Sequence, residues 1–223
     1  MKKSLNPDII RDAARGNLLK YTRRAFKAIP EIENPFILDI GCGSGVPTIE
    51  LSMLCDCRIV ALDNDENQLK WLKTKLKKLT LEDTVKIVNS SIHDMNFDTE
   101  SFDIIWSEGS IFVVGFEKGL KEWKRFLKQG GFMAIHDERG NVDGKLKQIV
   151  GCAYELLDYF ILDKDVWWNE YYSPLEKEIC RLKDNHPDMA DISVTFSREL
   201  SEIRAYKKDP EKCESVFFIL RKK

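Results

Sequence analysis

The sequence lacks the features that would place the protein in a membrane or on nucleic acid. No stretch reaches the roughly 18 consecutive apolar residues that a membrane helix needs. The first eight residues carry two lysines with no apolar segment behind them, which is not the pattern of a secretory signal. Lys and Arg total 35 against 37 Asp and Glu, whereas general nucleic-acid binders are usually basic. We expect a cytoplasmic protein with no nucleic-acid and no membrane partner.

Histidine is rare, and the cysteines form neither a metal-binding nor a disulfide pattern. The three histidines, His93, His136 and His186, share no ligand spacing. The six cysteines include the closely spaced Cys55 and Cys57, but no second cysteine or histidine pair lies near them in the sequence. A structural zinc site needs four such ligands, and disulfide-rich domains are short and secreted. We therefore expect reduced thiols and no metal.

The composition is that of one globular domain. The chain has 223 residues, of which 43% are hydrophobic and 32% charged, which suffices for a single core. Short apolar runs that predict buried strands alternate with amphipathic patterns that predict helices. The predicted strands are 36–40, 58–62, 85–88, 102–106 and 132–135, and the helices between them are 46–54, 65–79 and 117–128, the last ended by Gly130 and Gly131. This alternation predicts an α/β fold with a Rossmann-like, doubly wound and mostly parallel sheet.

Three alternating glycines follow the first predicted strand. The segment Leu38-Asp39-Ile40-Gly41-Cys42-Gly43-Ser44-Gly45 leads from a buried strand into a helix. Glycine at such a place lets the backbone turn sharply and lets a ligand approach the main chain. In the first strand-to-helix turn of an open parallel sheet, that ligand is usually a nucleoside-like cofactor.

Asp63 supplies the second part of the pattern. It ends the second predicted strand, 22 residues after Gly41, a spacing that suits a carboxylate accepting hydrogen bonds from ribose hydroxyls. The alternative is a glycine turn kept for packing, with Asp63 capping the next helix. A dinucleotide fits less well, because its motif places the third glycine where Val46 stands.

These residues resemble the motifs of class I S-adenosylmethionine-dependent methyltransferases, of the small-molecule type that includes the quinone-biosynthesis enzymes. The glycine segment is similar to the first signature of that family, and Asp63 to its ribose-binding acid. Residues 101–107 resemble its fourth-strand segment, and residues 127–133 resemble the glycine turn before its fifth strand. The resemblance covers about residues 35–138. It implies a seven-stranded sheet with an antiparallel last strand, S-adenosylmethionine as cofactor and a small-molecule acceptor.

The resemblance also implies which residues hold the cofactor. The glycine loop would surround the methionine part, and Asp63 and Asn64 would lie at the adenosine. The family often holds the adenine amino group with an Asp after the third strand. That place falls here on Ser91, followed by the Ile92 amide, with Asp94 as the alternative in another loop register. The full implied set is Asp39, Gly41, Cys42, Gly43, Gly45, Asp63, Asn64, Ser91, Ile92 and Ser107.

Methyl transfer from a sulfonium is an in-line displacement, so the protein mainly aligns two reactants. A general base is optional and helps most with hydroxyl or carbon acids. The candidates near the carboxyl ends of the fourth and fifth strands are Glu108, His136, Asp137 and Glu138. We predict Glu108 and His136 as the catalytic residues. Glu108 could equally be a loop cap, and a structural, hydrogen-bonded role is the more common one for a histidine at the end of an apolar strand.

The two ends of the chain differ from the alternating core. Residues 8–28 predict one or two amphipathic helices between Pro7 and Pro30. Residues 145–157 predict a helix, 159–162 an extended segment, 167–210 mostly helices, and 215–220 a final strand. We predict a single domain made of an N-terminal helical cap at 1–34, a cofactor-binding core at 35–140, and a substrate-side cap with the final strands at 141–223. Four cap aromatics could line a pocket or dock the cap: Trp167, Trp168, Tyr171 and Tyr172.

Two other functions remain open: a nicotinamide-dependent oxidoreductase, and a module that binds S-adenosylmethionine without catalysis. Methyltransferases of nucleic-acid or protein amino groups carry an Asn/Asp-Pro-Pro-aromatic segment after the fourth strand. Residues 107–110, Ser-Glu-Gly-Ser, do not match that segment. The sequence thus favours a small-molecule acceptor, and we expect a monomer or homodimer.

Overall fold

The computed structural model of the chain describes residues 7–185 and 192–223. The packing of these residues divides the chain into two compact units. One unit contains Lys20–Ile161 together with Ser215–Lys223, and the other contains the residues up to Leu19 together with Leu162–Glu214. We call them the sheet unit and the helical unit.

The sheet unit is built on a seven-stranded sheet. Its strands are β1 (Phe36–Ile40), β2 (Arg58–Asp63), β3 (Val85–Asn89), β4 (Phe102–Glu108), β5 (Leu127–Glu138), β6 (Tyr154–Leu162) and β7 (Ser215–Lys222). Their order across the sheet is β3-β2-β1-β4-β5-β7-β6. The pairs β3–β2, β2–β1, β1–β4 and β4–β5 are parallel, and β7 runs antiparallel to β5. The predicted doubly wound sheet with an antiparallel last strand is confirmed.

The helices of this unit pack apolar faces on the sheet. They are α2 (Leu19–Lys27), α3 (Val46–Leu54), α4 (Glu66–Leu79), α5 (Phe116–Trp123) and α6 (Val142–Gly151). α4 buries three leucines spaced at the helical period, Leu69, Leu72 and Leu76, whereas Leu79 at its end is exposed. The inner strand β1 is buried along almost its whole length, as expected for a parallel strand covered on both faces.

The position of β1 determines where ligands can bind. β1 lies between β2 and β4, so the order of the strands reverses at this point. In open α/β sheets, ligands bind outside the carboxyl ends of the strands at such a reversal. The loops that follow β1, β2 and β4 therefore meet at one edge of the sheet.

The prediction of a helix at 117–128, ended by two glycines, was wrong at its carboxyl end. α5 ends at Trp123, a turn of 3-10 helix follows, and β5 has already begun at Leu127. The pairing of β4 with β5 then shifts register, so that Gly130 and Gly131 lie in a bulge of β5. A Cβ at Gly131 would lie 2.9 Å from the carbonyl oxygen of Asp103. Helix ends and strand bulges both use glycine, so the glycine pair alone did not distinguish them.

The prediction of a helix at 145–157 was also wrong in its second half. The helix there, α6, occupies Val142–Gly151, and β6 begins at Tyr154. Ala153 between them has a positive φ of 55°, which ends the helix sharply. The alternation of buried and exposed side chains at the end of β6 is that of a strand.

The helical unit contains α1 (Pro7–Gly16), α7 (Lys164–Trp167), α8 (Ser173–Asn185), α9 (Ile192–Thr195) and α10 (Ser197–Lys208), with a turn of π-helix at Trp168–Tyr172. The mostly helical character predicted for 167–210 is confirmed over the described residues, and 186–191, which include His186, lie outside them. The four cap aromatics pack on one another or on Tyr206, whose ring stacks on Trp168 at 5.1 Å. Within the part of the chain described, no helix has the length and hydropathy needed to cross a bilayer.

Candidate functional site

The glycine loop after β1 is held against the end of β2 by its own backbone. The amide groups of Gly41 and Cys42 both donate to the carbonyl oxygen of Leu62, at 2.8 and 3.0 Å. The Gly45 amide donates to the Cys42 carbonyl at 2.8 Å, which closes the turn before α3. Gly41, Gly43 and Gly45 all have a positive φ, the conformation that favours glycine over other residues.

The surroundings of the three glycines differ in how much space is left for a side chain. A Cβ at Gly41 would lie 2.3 Å from the Cβ of Ser110, and a Cβ at Gly45 would lie 2.3 Å from Cδ1 of Leu72. A Cβ at Gly43 would meet no atom within 4 Å. Gly41 and Gly45 therefore serve close packing of the loop on β4 and α4. Gly43 borders open space, where a ligand can approach the main chain.

The carboxylate of Asp63 faces this loop. Its Oδ2 accepts a hydrogen bond from the Gly43 amide at 2.8 Å, and its Oδ1 accepts one from the Asp65 amide at 2.9 Å. The cap of α4 is Asp65, whose side chain accepts from the amides of Asn67 and Gln68. Because a carboxylate has about four acceptor positions, these two bonds leave capacity for the hydroxyls of a sugar.

Asp39 and Cys42 lie beneath the loop. Asp39 is 2% exposed, and its Oδ2 accepts a hydrogen bond from the Thr48 hydroxyl at 2.5 Å, which ties the end of β1 to the first turn of α3. The Cys42 thiol is also buried. Burial, followed by the nearby carboxylates of Asp39 and Asp63, raises its pKa well above the ordinary value for cysteine. The thiol is therefore neutral at physiological pH.

The residues predicted at the adenine follow β2 and β3. Asn64 is exposed beside Asp63, while Ser91 and Ile92 are half-buried. The Ser90 amide donates to the carbonyl oxygen of Asp63 at 3.0 Å, so the loop after β3 is tied to the end of β2. The structure therefore brings the predicted adenosine residues to one edge of the sheet.

Ser107 lies inside the protein, away from solvent. It is 0% exposed, and its hydroxyl shares a 2.6 Å hydrogen bond with the hydroxyl of Ser110. Ser110 in turn donates to the carbonyl oxygen of Ile40 at 2.6 Å. The two serines thus support the glycine loop from below. Sequence reasoning missed Ser110, whose role depends on a contact between residues 69 positions apart in the chain, Ser110 and Gly41.

Glu108 lies at the carboxyl end of β4 in a buried polar cluster. Its side chain is 5% exposed, and its Oε1 accepts hydrogen bonds from the Trp106 indole and from the Thr22 hydroxyl on α2, both at 2.9 Å. Its Oε2 lies 4.0 Å from Nδ1 of His136. Nε2 of His136 forms a 2.7 Å hydrogen bond with the hydroxyl of Ser215 on β7. The two predicted catalytic residues are therefore brought together. Thr22 and Ser215 are distant in sequence from Glu108 and His136, and no sequence pattern predicted their part in this cluster.

His136 is also held by ring stacking. Its imidazole is 4% exposed and lies parallel to the ring of Phe217, with centroids 4.2 Å apart. Phe217 stacks in turn on Phe160 at 5.0 Å, and the guanidinium of Arg24 lies 3.9 Å from the centroid of Phe160. The stack and the bond to Ser215 fix the orientation of the imidazole next to Glu108.

The two other predicted base candidates have different surroundings. Asp137 is 4% exposed, and its Oδ2 pairs with Nζ of Lys145 at 2.6 Å. Its Oδ1 is buried and has no hydrogen-bond partner among the described residues. Glu138 is exposed at the end of β5. Among the residues that the structure describes, no group of three or more acidic, histidine or cysteine side chains is placed to hold a metal ion.

Comparison with known proteins agrees with the geometry of this edge. Residues 38–135 match the family described as "Methyltransferase domain". The sterol 24-C-methyltransferase of Debaryomyces hansenii is 32% identical over 106 residues, which are 47% of this chain and 28% of that protein. The corresponding protein of Pneumocystis carinii is 34% identical over 106 residues, with the same coverage. The chain thus spans less than a third of the length of these curated relatives.

Solved structures share the fold over nearly the whole chain. A methyltransferase from Geobacter sulfurreducens in complex with S-adenosylhomocysteine has a TM-score of 0.73 at 16% identity, and covers 93% of this chain and 90% of its own. The 4+2 cyclase SpnF has a TM-score of 0.76 at 15% identity, with coverages of 91% and 80%. The fold is that of the class I S-adenosylmethionine-dependent methyltransferases. Beyond the fold, the similarity in sequence to a methyltransferase domain extends over residues 38–135.

Proposed function

We propose that the protein transfers a methyl group from S-adenosylmethionine to a small-molecule acceptor. The observation that carries the proposal is the meeting of Asp63 with the glycine loop, next to the open space at Gly43. A carboxylate beside exposed main chain, at the reversal of a parallel sheet, suits a ribose-bearing cofactor. The matched methyltransferase family and the sterol methyltransferase relatives support the same activity. The nicotinamide alternative has no comparable support.

The residues present fit this cofactor. Asp63 would accept hydrogen bonds from the ribose hydroxyls, and Asn64, Ser91 and Ile92 would border the adenosine. The glycine loop would lie along the methionine part, with Gly43 closest to it. Asp39, Cys42 and Ser107 are buried beneath the loop, so we assign them to its support. The full set implied by the family resemblance stays a proposal.

Methyl transfer requires the protein to align the methyl donor with the acceptor more than to activate either of them. When bound, S-adenosylmethionine supplies a methyl group already activated on a sulfonium. The protein contributes the position of the acceptor at the carboxyl ends of β4 and β5 and the exclusion of water around it. We assign to Glu108 the removal of a proton from the acceptor. His136, at 4.0 Å from its Oε2 and fixed by Ser215, would orient that carboxylate.

Isothermal titration calorimetry with S-adenosylhomocysteine tests the cofactor site. Asp63→Ala should weaken binding by about 1.5–3 kcal/mol, because charged hydrogen bonds are lost. The matched control is Asp65→Ala, two residues away, which removes the cap of α4. It should cost about 0.5–2 kcal/mol of stability and leave the affinity unchanged. No binding to the wild type at millimolar ligand, or equal losses in both variants, would contradict the proposal.

Turnover tests the assignment of Glu108. Small phenols, quinols and amines are screened with S-adenosylmethionine, and Glu108→Gln is compared with Glu138→Gln, which alters an exposed carboxylate at the same edge. Glu108→Gln should lower kcat by about 10²–10⁴-fold and leave cofactor affinity unchanged. Full turnover in Glu108→Gln would remove the base assignment and leave the methyltransferase proposal intact.

A module that binds the cofactor without methyl transfer is the second candidate. The observation that favours it is the cyclase SpnF, which shares this fold at a TM-score of 0.76, since a fold alone does not determine a reaction. Cofactor binding without methyl transfer to any tested acceptor would support it. A cytoplasmic location, a monomeric or homodimeric state and the absence of nucleic-acid partners remain predictions. So does the division into an N-terminal helical cap at 1–34, a cofactor-binding core at 35–140, and a substrate-side cap with the final strands at 141–223.

A further inference from the structure

The connection between α3 and β2 carries two cysteines that are separate from the glycine-loop edge. α3 ends at Leu54 and β2 begins at Arg58, so Cys55, Asp56 and Cys57 form the whole connection. Cys55 has an extended backbone, with φ −151° and ψ 157°. The chain bends at Cys55 and Asp56, and both thiols lie against the last turn of α3.

The two sulfur atoms are neighbours. The thiol of Cys55 donates to the carbonyl oxygen of Leu51 at 3.6 Å, and the thiol of Cys57 lies 3.8 Å from the same oxygen. Both cysteines are reduced in the structure. Two thiols one residue apart in the chain therefore approach the same carbonyl oxygen.

The two cysteines differ in access and in acidity. Cys55 is half-buried and lines a cavity of about 810 Å³ at the start of β1, whereas Cys57 is 5% exposed. The neighbouring thiol of Cys57 lowers the pKa of Cys55, whereas the neighbouring thiol of Cys55, together with burial, raises the pKa of Cys57. Asp56 opposes ionisation of both thiols but does not reverse this difference. Cys55 is thus the nucleophile, and Cys57 is the partner that can resolve its oxidised form.

We propose that Cys55 and Cys57 form a reversible dithiol–disulfide site that is oxidised by small peroxides. The sulfur of Cys55 attacks one oxygen of hydrogen peroxide, the O–O bond breaks, and the hydroxide released takes a proton to leave as water. This step leaves a sulfenic acid on Cys55. The sulfur of Cys57 then attacks the sulfur of Cys55, the S–O bond breaks, and a second water leaves with the Cys57 proton. Two thiols and one peroxide give one disulfide and two waters, a two-electron oxidation.

The disulfide would be easily reduced. Two residues span at most about 7 Å, near the upper end of the Cα separation that a disulfide allows. The ring it closes is very short, so little chain entropy stabilises it. Strained disulfides have more oxidising potentials and exchange readily with monothiols. The site therefore returns to the dithiol when a thiol reductant is present.

Peptide mass spectrometry of the full chain tests the proposal. The reduced protein is treated with hydrogen peroxide, its remaining thiols are alkylated, and the peptide with residues 55–57 is compared with that of Cys180, the exposed cysteine. We expect the 55–57 peptide to lose two hydrogens, to escape alkylation, and to regain both thiols with dithiothreitol. Full alkylation of Cys55 and Cys57 at a peroxide level that oxidises Cys180 would overturn the proposal, as would a disulfide from Cys55 to any other cysteine.

The variant Cys57→Ser separates nucleophile from resolving partner. It should stop at a sulfenic acid on Cys55, which dimedone traps, and Cys55 should require a higher pH for alkylation than in the wild type. Circular dichroism melting confirms that the variant is folded. Unchanged alkylation of Cys55 across the pH range would overturn the assigned role of Cys57. None of these measurements depends on cofactor binding or on methyl transfer, so their outcome is independent of the proposed function.

Discussion

Replacing Gly45 with alanine should destabilise the protein much more than the same change at Gly43. Gly45 has a φ of 77°, and the added Cβ would lie 2.3 Å from Cδ1 and 3.1 Å from Cγ of Leu72. Leu72 is 0% exposed in α4, so its side chain has little room to move away. The substitution therefore combines backbone strain with overpacking. At Gly43 the φ is 52°, and no atom lies within 4 Å of the added Cβ.

The expected magnitudes follow from these two effects. A left-handed conformation costs a non-glycine residue about 1–2 kcal/mol, and overpacking of a filled core costs about 1–3 kcal/mol. Gly45→Ala should therefore lower the free energy of unfolding by about 2–5 kcal/mol. Gly43→Ala should lower it by only about 1–2 kcal/mol. If the open space at Gly43 holds the cofactor, Gly43→Ala should nevertheless weaken S-adenosylhomocysteine binding.

A double variant isolates the contact with Leu72. Leu72→Ala alone should cost about 2–5 kcal/mol, because it leaves a cavity. In Gly45→Ala/Leu72→Ala the added methyl group meets that cavity. The loss of unfolding free energy in the double variant should then be smaller than the sum of the losses in the two single variants, by about 1–3 kcal/mol. Urea unfolding monitored by circular dichroism gives the midpoint and the m value for each protein.

Two results would refute this reasoning. If Gly43→Ala destabilised the protein as much as Gly45→Ala, packing would not distinguish the two positions. If the effects of the Gly45 and Leu72 substitutions on the free energy of unfolding were strictly additive, the close approach between loop and helix would make no energetic contribution of its own. In either case the division of the glycines into packing positions and a ligand-facing position would be wrong.

Two further predictions concern buried polar groups of the sheet unit. Lys145→Met should lower the free energy of unfolding by about 3–5 kcal/mol, because it leaves the Asp137 carboxylate buried without its cation. The exposed Lys147→Met is the control, and equal urea midpoints for the two variants would contradict the prediction. Burial raises the pKa of Cys42, so the unfolded state ionises first and stability should fall above about pH 8.5, by at most about 1.4 kcal/mol per pH unit. Cys42→Ser should flatten this decline in urea titrations, and Cys42 should resist alkylation at a pH where Cys180 reacts. An unchanged slope or rapid alkylation of Cys42 would refute this explanation.

Much of the fold could be predicted from local signals. Apolar runs and helical spacing gave β1, α3 and α4 close to their observed bounds, and β2 with one residue missing at its end. These signals are local because a strand or a helix displays its own period in its own residues. The glycine loop and Asp63 could be recognised for the same reason, since the turn and the carboxylate each follow a strand directly.

The predictions from sequence were wrong where one local pattern is compatible with two kinds of secondary structure. Gly130 and Gly131 were interpreted as the end of a helix, and they lie in a strand bulge because β4 and β5 shift register there. The helix predicted at 145–157 ended early because Tyr154 begins an edge strand beside β7. In both cases the outcome depended on a neighbouring strand that is distant in the sequence.

The sequence by itself determined that a parallel sheet turns through a glycine loop and that an acid follows the next strand. Only the tertiary structure decided what each of those residues does. It placed Ser110 against Gly41, gave the cap of α4 to Asp65, and joined Glu108 to Thr22. The physical reason is that backbone preference and hydrophobic period act over a few residues, whereas close packing and buried hydrogen bonds join residues that only the folded chain brings together.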